Sequence, residues 1–261
     1  MLKKRFFPLV LCITAIMISG VACSDGANQD VIEEAESPVM EVGEITLPAA
    51  TKDAPLTTEE PTKSPTETST PVPTETLVPV ILYTDEFSDS NSGWEHYNEF
   101  DGVLDYEKDG YRMWVNVLSN FYWVAVDQTY SDVVIEVDAA RMEGPINNQY
   151  GVFCRLAPGS NSFYFFLIGS DGKYGIGRYA DFTQNMLSDG IAEPGLIRGE
   201  NEWNQIRAAC VGDNLSLTVN GEVLMELQDG VLESGVVGLA AGTFDEPGTD
   251  ILFDNFQLVM P

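Results

Sequence analysis

Val133-Val134-Ile135-Glu136-Val137-Asp138-Ala139-Ala140-Arg141 is the stretch that decides the fold. Apolar Val133, Ile135, Val137 and Ala139 alternate with Val134, Glu136, Asp138 and Ala140. A period of two puts the first set on one face of a strand and the second on the other, as a half-buried antiparallel strand requires. Tyr111–Val117 behaves the same way: Tyr111, Met113, Val115 and Val117 share one face, and Arg112, Trp114 and Asn116 share the other. Further strands are predicted at 151–156, 163–168, 174–179, 205–211, 215–219, 236–240 and 251–259. Asp109-Gly110, Asp171-Gly172 and Asn220-Gly221 supply hairpin chemistry between them. No long helical periodicity interrupts the series. The expectation is an all-β domain over 81–261, an antiparallel β-sandwich of the jelly-roll kind.

The chain before 81 reads differently. Lys3, Lys4 and Arg5 precede an apolar run from Phe6 to about Ile18, closed by Ser19-Gly20-Val21-Ala22. These are the parts of a secretory signal. The apolar run falls short of the ~20 residues that span a bilayer. Cys23 follows directly, and the segment resembles a bacterial lipoprotein signal; Gly20 stands where a Leu is usual in that family. The resemblance implies lipidation of Cys23 after removal of the leader, and an exported, extracytoplasmic chain attached to the membrane through the lipid alone. Residues 24–80 are rich in Thr, Pro and Glu, with no Trp, Tyr or Phe from 24 to 80. Such a segment cannot offset the entropy of ordering and is expected to be a disordered stalk.

The net charge is −28, and loss of the leader takes three positive charges with it. So acidic a chain is repelled by nucleic acid and by anionic membrane surfaces.

Several segments read together: Asp85-Glu86-Phe87-Ser88-Asp89-Ser90-Asn91-Ser92-Gly93-Trp94, Gly151-Val152-Phe153-Cys154-Arg155, Phe163-Tyr164-Phe165-Phe166, 214–221, and Phe253-Asp254-Asn255-Phe256. They resemble the concanavalin A-like lectin/glucanase superfamily. The resemblance implies two antiparallel sheets, one with a concave outer face where glycans bind. Glucanases of that superfamily carry Glu-x-Asp-x-x-Glu on one strand. Glu136 and Asp138 begin the pattern, but Arg141 stands where the last acid would be. Retaining hydrolysis needs two carboxyl groups about 5 Å apart, so no catalytic residue is assigned. The single histidine, His96, supports no triad.

The reading that follows is a non-catalytic carbohydrate-binding face carrying Arg112, Trp114, Asn116, Glu136, Asp138 and Arg155, with a glycan as partner. The alternatives are a glycoside-acting hydrolase of the same fold and a protein-interaction module. No cofactor is expected beyond a structural calcium, for which Asp85, Glu86, Asp89 and Asp254 are the candidate oxygen donors. By parity Cys154 and Cys210 both point toward the core. An exported pair within one domain reads as a disulfide, with two buried thiols as the alternative.

Overall fold

The computed structural model describes residues 79–261 apart from 109 and 158. The leader, Cys23 and the stalk up to 78 lie outside the described residues, as does the Asp109 of the first hairpin signal. Every regular element among the described residues is a β-strand. One sheet takes β1 (Ile81–Asp85), β2 (Tyr97–Glu99), β3 (Gly102–Glu107), β4 (Gly110–Val115), β6 (Val133–Glu143), β11 (Asn204–Val211), β12 (Asn214–Val219), β13 (Glu222–Gln228) and β15 (Thr249–Val259). The other takes β5 (Phe121–Tyr130), β7 (Asn148–Leu156), β8 (Phe163–Ile168), β9 (Lys173–Ala180), β10 (Thr183–Ile191) and β14 (Gly235–Thr243).

The nine-stranded sheet runs β13-β12-β11-β6-β15-β4-β3-β2, with β1 also paired to β15. The six-stranded sheet runs β10-β9-β8-β7-β14-β5. All pairings are antiparallel, so the domain is the antiparallel β-sandwich that the alternation in 133–141 predicts.

The core lies between the sheets. Val133, Ile135 and Val137 of β6 and Ile206 and Ala208 of β11 come from one layer. Val152 of β7, Tyr164 and Phe166 of β8, and Leu239 of β14 come from the other. A disulfide joins Cys154 of β7 to Cys210 of β11, tying the two layers together across 56 residues of chain. A loop of that length is stabilised by roughly 4 kcal/mol in the chain-entropy account. The β12–β13 turn places Asn220 and Gly221 at φ 52° and 86°, the left-handed pair that a two-residue hairpin favours.

β8 breaks the alternation. All six of its residues, Phe163-Tyr164-Phe165-Phe166-Leu167-Ile168, are buried. Tyr164, Phe166 and Ile168 enter the main core, whereas Phe163, Phe165 and Leu167 join a second apolar cluster. Strand parity places that cluster on the outer side of the six-stranded sheet.

Candidate functional site

The face expected from the sequence is only partly assembled. Arg112 and Trp114 lie on β4 and Glu136 and Asp138 on β6, all on the outer side of the nine-stranded sheet, with β15 between the two strands. Their polar groups already have partners within the sheet. The Arg112 guanidinium donates to both oxygens of Asp250, at 2.9 and 2.7 Å, and to Glu107 at 2.8 Å. It also sits 6.0 Å from the Trp114 ring centroid. Arg207 donates to Glu136 at 3.1 Å. Asn255 donates its side-chain amide to Asp138 at 2.8 Å. Asn116 donates to the Phe100 carbonyl at the sheet margin.

Arg155 does not belong to this face. It sits on β7, in the opposite sheet, at φ 60°. The β7–β14 register slips between Phe153 and Leu156 there. That bulge takes Arg155 out of strand parity and turns it into the end of the sandwich, where it is 2% exposed. Its guanidinium donates to the carbonyls of Ser131, Leu232 and Gly212. It is a buried structural clamp on three loops, out of reach of a ligand at that burial.

The four proposed calcium donors do not gather. Asp85 is buried and saturated: it accepts from the Phe87 amide, the Trp94 indole and the Tyr83 hydroxyl. Asp89 accepts from the Asn91 amide in its own turn. Glu86 is exposed, and Asp254 lies on β15 opposite Asp138. No group of three metal-ligating side chains occurs among the described residues. His96 contacts Asp105 and the Ser90 carbonyl at an exposed edge. Arg141 donates to the Gly144 carbonyl and to Glu200.

A different face carries the aromatic surface. On the outer side of the six-stranded sheet, Phe121 and Trp123 of β5, Phe153 of β7, Phe163 and Phe165 of β8 and Tyr179 of β9 form one array. Phe163 stacks on Tyr179 at 5.0 Å and 12°, and Trp123 packs on both, at 5.4 and 5.3 Å. Phe121 lies 6.2 Å from Tyr179, at 23°. Glycine makes the bed possible: a Cβ on Gly177 would stand 2.3 Å from the Phe165 ring, and one on Gly238 would stand 2.8 Å from Phe153. Phe153, Phe163 and Phe165 are fully buried, while Phe121 and Trp123 are half-buried above them. Burial pushes the Tyr179 phenol up from its usual pKa.

Polar groups flank the rings. Gln149 of β7 and Gln184 of β10 exchange side-chain hydrogen bonds at 3.1 Å in both directions. At the β9–β10 tip, Asp181 and Phe182 both adopt positive φ, 52° and 60°. A bulky aromatic rarely sits there, and Phe182 is half exposed beside Tyr179's strand. The four central strands, β9, β8, β7 and β14, contain no Asp or Glu. The acids of this sheet are Asp127 on β5 and Asp189 on β10, on opposite edge strands.

Sequence parity placed Phe153 opposite Cys154 but gave no hint of the neighbours that complete its array. The signal was in Phe163-Tyr164-Phe165-Phe166: a strand apolar on both sides needs an apolar partner on both sides.

Three solved structures share this architecture. The carbohydrate-binding module CBM66 of Bacillus subtilis is 14% identical with a TM-score of 0.53, covering 64% of this chain and 95% of its own. A Bacillus subtilis protein of unknown function with a galectin-like fold is 11% identical with a TM-score of 0.56, covering 69% and 96%. The β-glucanase of Bacillus licheniformis is 13% identical with a TM-score of 0.50, covering 68% and 95%. At such identities the likeness shows a concanavalin A-like jelly roll. No curated protein matches the sequence. Residues 84–259, nearly the whole of the sandwich, match the family described as the 3-keto-alpha-glucoside-1,2-lyase-like domain, and the chain belongs to that family.

Proposed function

We propose that residues 81–261 form a non-catalytic glycan-binding module, held at a membrane surface through a lipid on Cys23, and that the aromatic array of the six-stranded sheet is its binding face. The observation that carries this is the half-buried pair Phe121 and Trp123, bedded on buried rings and flanked by the Gln149–Gln184 amides. A sugar presents C–H faces and hydroxyls in alternation. Flat rings take the first and planar amides the second. The fold likeness to a carbohydrate-binding module supplies a scaffold consistent with this.

Membership of a lyase-like family favours a glycoside-acting enzyme as the second reading. Hydrolysis by paired carboxyl groups needs them roughly 5–10 Å apart. Asp127 and Asp189 are on opposite edges of the sheet, and the strands between them carry no acid. The strands of this face therefore offer rings and amides rather than a paired acid and base, which favours binding as the reading of the six-stranded face.

The test is a titration of the full chain with neutral oligosaccharides, followed by the same titration of Trp123→Ala. Loss of binding in the variant supports the face, and unchanged binding sinks it. Turnover of a 3-keto disaccharide by the wild-type chain would favour the enzyme instead. For the anchor, Cys23→Ser should move the chain out of the membrane fraction; a variant that stays there would count against lipidation.

A further inference from the structure

We propose that the domain has a second saccharide site, on the opposite side of the sandwich, in the hollow beside Trp203. This hollow is open to solvent, is lined mainly by polar groups and has a volume of about 470 Å³. Its floor is a row across three neighbouring strands. Gln205 of β11 pairs with Asp138 of β6, and Asp138 pairs with Asp254 of β15. Trp203 forms one wall and the Asn220–Gly221 turn closes an end.

Three features set this hollow apart from ordinary sheet surface. Asp138 and Asp254 occupy paired positions on β6 and β15, which brings two carboxyl groups to one spot of the floor. Beside them, Asn255 takes φ 53° inside the long strand β15, where the register slips between Asp254 and Gln257. Bulges of this kind re-aim side chains, and non-glycine residues at positive φ concentrate at functional sites. Here the bulge directs the Asn255 amide at Asp138, at 2.8 Å. The third feature is Trp203 itself. It is the most exposed of the four tryptophans, at 38%, yet its loop is firmly held. Fully buried Asn204 accepts from the Arg198 amide at 2.7 Å and donates to the Arg198 carbonyl at 3.2 Å. Asn220 donates to Asn204 at 3.0 Å, and Arg198 donates to the Trp203 carbonyl at 2.8 Å. An exposed indole on a pinned loop is a preorganised stacking surface.

The chemistry selects the ligand class. An indole face takes the C–H side of a pyranose ring, and carboxylate and amide oxygens accept its hydroxyl hydrogens. Two carboxylates against one guanidinium disfavour anionic sugars. The ligand is a neutral monosaccharide unit, free or at a chain end.

The test follows the indole N–H resonances of Trp203 and Trp123 separately in the full chain. The probes are methyl α-glucoside, methyl β-glucoside and methyl α-mannoside at millimolar concentration. The expected result is a saturable shift of the Trp203 signal with at least one probe. Asp138→Asn should weaken it about tenfold or more, as the loss of one charge-assisted hydrogen bond implies, and Trp123→Ala should leave it unchanged. A Trp203 signal still under all three probes overturns the proposal. So does an Asp138→Asn titration identical to wild type, or a shift that appears with calcium and not with sugar. Because Trp123 reports the six-stranded face independently, failure at one face is read separately from failure at the other.

Discussion

The Phe163 ring lies against the Tyr179 ring with centroids 5.0 Å apart and planes 12° from parallel, on the side of the six-stranded sheet that faces away from the core. The two residues occupy paired positions on β8 and β9. Cross-strand aromatic pairs stabilise a sheet, and this one also supports Trp123 and Phe121 above it. Support and contact should therefore be separable by mutation. Phe163→Ala should cost about 3–5 kcal/mol of stability, as truncation of a buried ring does. Trp123→Ala should cost less, since its ring is half-buried, while reducing glycan affinity about tenfold or more. Denaturant midpoints and binding isotherms on the two variants check this; equal effects on both quantities would argue against the division.

Arg155 offers a contrasting prediction. Its guanidinium serves the carbonyls of Ser131, Gly212 and Leu232. Arg155→Ala takes the guanidinium donor from all three carbonyls and empties a buried position, and should destabilise by roughly 2–4 kcal/mol. Glycan affinity of the folded variant should stay at the wild-type value. A loss of affinity with stability intact would return Arg155 to the binding face.

The Cys154–Cys210 bridge links β7 to β11 and hence one sheet to the other. The double substitution to Ala should lower stability by about 2–4 kcal/mol, and reductant should lower the melting temperature of the wild-type chain. Equal melting temperatures with and without reductant would contradict a bridge in solution.

Stability should also fall in alkali. Burial pushes the Tyr150 phenol up to about 12 and raises Tyr111 further. Both rings lie in the main core. An unfolded tyrosine titrates near 10, so above about pH 10 the unfolded chain binds fewer protons than the folded one. The stability these groups contribute is complete below that pH. It is lost as pH rises toward the folded values, at about 1.4 kcal/mol per pH unit for each ring. Urea midpoints on either side of about pH 10 measure the effect; a flat response would mean these phenols are not buried as described.

The sandwich was legible because its sheets alternate. Val133, Ile135, Val137 and Ala139 fix β6 and its inward face, and Asn220-Gly221 marks the β12–β13 hairpin. β5 was not legible, because Phe121 to Val126 is apolar on both sides and has no period to read. β10 was missed for the opposite reason: it is an edge strand, polar and exposed along most of its length. The candidate site suffered from a deeper limit. Parity tells which side of a strand a residue occupies, not which sheet the strand joins. β6 and β7 are consecutive in sequence yet lie in different layers. Parity alone therefore groups Arg155 with Glu136 and Asp138, although the core separates the two strands. The bulge at Arg155 then removes even its parity.

The central claim is that the rings over β8 and β9 bind a neutral glycan. The most direct measurement is a glycan-array screen of the full chain beside its Trp123→Ala variant. Hits among neutral glycans for the wild-type chain should disappear in the variant, with no binding to acidic ones. A wild-type array without hits, or hits that survive Trp123→Ala unchanged, would contradict it.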